Sequence, residues 1–133
     1  MKTFFGSVIL CIAALFFAVT AWSSFSAPRQ FGERLGFTIT GADGTNEIRA
    51  QYGGFFLVMA MINVLALTGI VPRGAGLLLT SAVFGGLIAG RITSLILDGG
   101  FAGYGGLVRA LFLIDGTGFA LSFVAYLRER STG

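Results

Sequence analysis

The chain has 133 residues, of which 55% are hydrophobic and 11% charged, and its mean hydropathy is +0.86. Soluble domains carry about 25% charged residues, so the shortage of charge is the informative departure. No His and a single Cys exclude a disulfide scaffold, an ordinary zinc site and His-based catalysis. The nine basic residues lie scattered along the chain and form no patch for nucleic acid, although the net charge is +3.

A helix that crosses a bilayer needs about 20 mostly apolar residues. The stretches between Thr3 and Pro28 and between Ala50 and Pro72 contain no charged residue. A third apolar run goes from Gly74 past Arg91 to Leu97, and a fourth from Gly105 to Leu127 carries Arg109 and Asp115. The pattern predicts an all-α fold, an antiparallel four-helix transmembrane bundle, as one integral membrane domain over residues 1–133. Its spans lie at about 4–25, 48–70, 75–97 and 105–127.

Span one has a rival reading as a secretory signal, with Lys2 in front and Val19-Thr20-Ala21 as the cleavage site. Its apolar run is longer than such a signal needs, and Trp22 and Phe25 suit an interfacial anchor, which favours a retained helix. Cys11 reads as a small buried apolar residue. The loop 28–46 holds Arg29, Glu33, Arg34 and Asp43, and its Phe31 and Phe37 predict that it packs on the interface. Asn46 suits the N-cap of span two, with Glu47 in the first turn. Within span two, Asn63 reads as a helix–helix hydrogen bond and Tyr52 as a packing or ligand-facing aromatic. Gly69 and Pro72 end the helix in a tight turn. In span three Gly86 and Gly90 have GxxxG spacing with Ala82 on the same stripe, and Gly116 and Ala120 repeat it in span four. Such stripes predict close packing inside the bundle. The glycine-rich link GGFAGYGG from Gly99 to Gly106 is a turn, because no dinucleotide or phosphate-loop spacing surrounds it.

Lys2, Arg73, Arg128 and Arg130 fall at one end of a four-span chain and Arg29 and Arg34 at the other, which predicts cytoplasmic termini. Antiparallel spans also bring Glu47, Arg49, Arg91, Asp98, Arg109 and Asp115 into one half of the membrane. Arg91 lies about 9 Å from the end of span three and Asp115 about 15 Å from the start of span four. Side chains lean toward the N-terminus of their own helix, so these two lean toward each other. The expected pairs are Arg91 with Asp115, and Arg49 with Asp98 nearer the surface. Arg109 and Glu47 are expected to snorkel to the interface. Ionisable residues at membrane depth point to function by default, yet such pairs can equally fix helix register, and both readings stay open here.

The segments NEIRAQYGG, from Asn46 to Gly54, and GRITSLILDG, from Gly90 to Gly99, resemble the signature stretches of the bacterial Domain of Unknown Function 4345 family. The resemblance extends over nearly the whole chain. It implies a small four-span protein of the bacterial inner membrane and supplies no activity.

The expected function is therefore non-enzymatic. A charged cluster of Arg49, Arg91, Asp98 and Asp115, with Glu47, Tyr52, Asn63 and Arg109 as accessories, would bind a polar or lipidic ligand or support a membrane-protein partner. Membrane lipid is the expected surrounding partner, and no metal, cofactor or catalytic residue is expected. A small proton-coupled transporter using Asp115 is the alternative, and a lipid- or isoprenoid-modifying enzyme acting through its carboxylates is the third.

Overall fold

The computed structural model describes residues 2–131, with side chains from Phe4 onward, so the Lys2 side chain lies outside the described residues. Four long helices carry the architecture. They are α1 (Lys2–Ser26), a broken helix built from α3 (Gly41–Ile48), a π-helical turn (Arg49–Gly54) and α4 (Phe55–Leu67), then α5 (Arg73–Leu97) and α6 (Gly106–Arg130). The short helix α2 (Pro28–Arg34) lies between the first two. All four are long and apolar enough to cross a membrane. α1 packs on α4 and α6, and α5 closes the ring against α6 and α4.

Burial departs from the water-soluble pattern, since large apolar side chains line the outer surface as well as the core. Trp22, Ile96, Leu97 and Leu113 stand on the outside, whereas Ser24, Asn63, Thr80, Ser81, Asp115 and Ser122 are buried. In lipid the outer wall needs no polar cover, and polar side chains hold helices together from within. Asn63 does so as expected: its Oδ1 accepts from the Thr80 hydroxyl at 2.8 Å across α4 and α5. The apolar core is aromatic around Phe17, Phe56 and Phe84, with Phe17 and Phe84 stacked at 5.3 Å. A second cluster of Ile9, Leu10, Ala66, Leu77 and Ala125 fills the other half. The N-terminal segment that resembles a secretory signal is the most buried of the four spans.

Three expectations are corrected. The second span starts at Gly41, so Asn46 and Glu47 lie in its early turns and Thr40 occupies the N-cap position. The polar run Asp43-Gly44-Thr45-Asn46 concealed this helix; what holds it is packing, since Ile39 and Ile48 both seat against the bare backbone of Gly32. Cys11 is exposed on α1 instead of buried. The stripe of Ala82, Gly86 and Gly90 also faces outward, and a methyl group at either glycine would meet nothing within 4 Å. The close approaches occur at other glycines. Gly76 lies against Ala66, Gly118 under the Phe84 ring, Gly85 against Phe119 and Gly53 against Phe25.

Helix ends follow local chemistry. Gly69 (φ 81°) terminates α4, with the Ile70 N–H returning to the Leu65 carbonyl, and Gly99 (φ 72°) does the same after α5. A side chain at either position would be strained, which is the usual reason for glycine just past a helix.

Candidate functional site

Arg91 and Asp115 meet as the depth argument requires. The Arg91 Nε–H donates to Asp115 Oδ2 at 2.5 Å, with the Asp115 side chain 1% exposed and that of Arg91 22%. The guanidinium also stands 6.0 Å from the centre of the Phe112 ring. Because only Nε is engaged, both terminal Nη groups have no protein partner among the described residues.

Arg91 lines two cavities. An inner cavity of about 300 Å³ is lined by Arg91 and Asp115 together with Phe16, Thr20, Tyr52 and Phe56. An outer cavity of about 500 Å³ adds Gly86, Gly90, Ser94, Asp98 and Tyr104. Leu35, Phe37, Tyr52, Leu87, Arg91 and Val108 line both, so the two are chambers of one space with the arginine at their boundary. Its size falls in the range of about 300–1,000 Å³ usual for ligand pockets.

Each wall has a local cause. Residues Arg49–Gly54 form a π turn in which the Phe55 N–H reaches back five residues to the Ala50 carbonyl. Such turns insert an extra residue and frequently mark functional sites. Here it displays Tyr52, which stacks on Phe56 at 6.2 Å and touches Phe31 of α2 at 5.1 Å. The link between α2 and α3 turns at Gly36 (φ 87°) and sets Leu35 and Phe37 over the space. At the far rim Asp98, the last residue before the α5 stop, accepts from the Tyr104 hydroxyl at 2.5 Å. That hydrogen bond, together with modest desolvation and the Asp98 charge, pushes the Tyr104 phenol above its ordinary pKa.

The other sequence candidates separate. Arg49 is exposed on the π turn, lines neither chamber and makes no ion pair with Asp98, so the second expected pair does not form. Tyr104 occupies the Asp98 carboxylate in its place. Glu47 is exposed on α3. Arg109 is exposed too, and its Nη2 donates to the Phe101 carbonyl at 2.9 Å, tying down the link before α6. Asn63 lies deep between α4 and α5 and lines neither chamber. The sequence reading missed Tyr104, Leu35, Phe37 and the opening at Gly86 and Gly90. An aromatic residue embedded in GGFAGYGG, six residues beyond Asp98, was the available signal for Tyr104.

Among the described residues no three His, Cys, Asp or Glu side chains converge. In comparison with known proteins, a family model described as a domain of unknown function, DUF4345, matches residues 6–126. No curated protein and no solved structure matches the chain significantly.

Proposed function

Since the chain belongs to the DUF4345 family, which comes without an activity, we propose from its geometry that it is a non-enzymatic binding protein of the bacterial inner membrane. The proposed ligand is an amphiphile whose head lies at Arg91 while its tail occupies the aromatic and aliphatic chamber. The observation that carries this reading is the Arg91 guanidinium, fixed through Nε by Asp115 and left with unused Nη donors beside a mainly apolar cavity that also holds Thr20 and Tyr52. Donors held in place by a buried partner bind with little reorganisation. A salt bridge serving register alone needs no such space beside it. We further place both termini in the cytoplasm, from Arg73, Arg128 and Arg130 at their end of the bundle.

The test is native mass spectrometry of protein purified from membranes in mild detergent. Wild type is expected to carry an amphiphile, and Arg91→Gln to retain roughly tenfold less, the scale of losing a hydrogen bond from a charged donor. Wild type free of any amphiphile, or Arg91→Gln carrying as much, overturns the reading. If proton flux into liposomes appears and vanishes in Asp115→Asn, the carrier reading replaces it.

A further inference from the structure

Resting on that binding site, we infer that its ligand is an uncharged amphiphile with a carbonyl or hydroxyl head group, which enters from the bilayer across Gly86 and Gly90. Charge decides the first half. Arg91 is matched by Asp115 within the cavity, and Asp98 then leaves one negative charge in excess among the lining groups. Tyr52 and Tyr104 bring hydroxyls, and the neighbouring Glu33 and Arg34 on the loop side cancel each other. A carboxylate or phosphate head would enter against that excess charge, at a depth where an uncompensated ion is costly. An ammonium head has no lone pair with which to accept from the Arg91 Nη groups, which can only donate. A carbonyl accepts from them without altering the balance. A hydroxyl oxygen can do the same.

The second half rests on the wall. Gly86 and Gly90 are one turn apart, both exposed, and both line the outer chamber together with Arg91. Nothing lies within 4 Å of where their side chains would be. Both are about 10–17 Å from the end of α5, within one leaflet of a hydrocarbon core about 30 Å thick. On the loop side Leu35 and Phe37 contribute apolar wall. The open wall therefore faces acyl chains, and a ligand using it must already be dissolved in the membrane.

The experiment compares three probes that share one chain and differ in the head: 1-oleoylglycerol, oleate and oleylamine. Each is titrated against purified protein in detergent, with thermal unfolding as the readout. Oleoylglycerol is expected to raise Tm at concentrations at least about fivefold below those needed for oleate or oleylamine. Asp98→Asn should strengthen the oleate response by about tenfold, because it removes the excess charge. Gly86→Leu and Gly90→Leu should each weaken the oleoylglycerol response about tenfold, with an unchanged ligand-free Tm showing that the fold survives. Oleate or oleylamine binding wild type as tightly as oleoylglycerol overturns the head-group assignment. Unchanged binding in both leucine variants overturns the entry route. In either case the amphiphile site itself stands. If none of the three shifts Tm while wild type still carries a natural amphiphile from membranes, the uncharged single-chain class is rejected; if it carries none, the binding reading fails with it.

Discussion

Arg91 reaches Asp115 through Nε instead of through the two-pronged terminal fork that arginine usually offers a carboxylate. The consequence is energetic as well as functional. Asp115 is 1% exposed, so removing Arg91 strands an anion in a low-dielectric interior, while removing Asp115 strands a cation that is only partly wet. Asp115→Ala and Arg91→Met should each cost on the order of 3 kcal/mol, and the double variant clearly less than their sum. Reversible unfolding of the three variants in mixed micelles measures this coupling, and strictly additive losses would refute a working ion pair. This pair could be read from sequence because rise per residue and side-chain lean fix its depth from both helices. Depth says nothing of azimuth, and the pairing of Arg49 with Asp98 failed for that reason. Arg49 is exposed on the π turn, which packs on α1 and α4, and no spacing in RAQYGG announces that turn.

At the scale of helices, glycine content alone did not reveal which glycines touch. The sequence pattern picks out Gly86 and Gly90 by spacing, but contact depends on which face meets a neighbour. Gly76 and Gly118, which belong to no conspicuous stripe, make the intimate crossings. A Cβ on Gly76 would lie 2.6 Å from the Ala66 Cβ, and one on Gly118 2.7 Å from the Phe84 ring. Ala66 is fully buried and cannot swing aside, so α4 and α5 must part. Gly76→Ala is expected to destabilise by about 1–3 kcal/mol, as overpacked sites do. Gly74→Ala, in the first turn of the same helix with open space around it, should be neutral or slightly stabilising. Equal effects of the two variants on Tm would show that helix propensity, not the α4–α5 crossing, governs the response. The four spans were evident from their long uncharged runs, whereas α2 and α3 were not. Their polar composition reads as loop, whereas Pro28 opens α2 and the packing of Ile39 and Ile48 on Gly32 holds α2 and α3 together.

For the molecule as a whole, the even number of spans places the chain ends together and the charged cavity at the opposite end, with α2, α3 and the link before α6. Orientation therefore determines which leaflet can feed the site. Arg73, Arg128 and Arg130 gather at the end with the termini, and the basic residues there are the ground for expecting that end on the cytoplasmic side. The opposite end has Arg29 and Arg34 in its loop, with Arg49 and Arg109 on the helices beside it, and its Glu33, Asp43, Glu47 and Asp98 count for little in such a comparison. The expected arrangement has the cavity opening into the outer leaflet of the inner membrane. In a Cys11→Ala background, a membrane-impermeant maleimide added to intact cells should label Thr45→Cys, and should reach Gly74→Cys only after the membrane is breached. The exposed Cys11 is removed because it would otherwise report from within the apolar wall. The converse labelling pattern would put Arg91 and its cavity in the cytoplasmic leaflet. The same glycine opening would then draw its ligand from the lipids on that side.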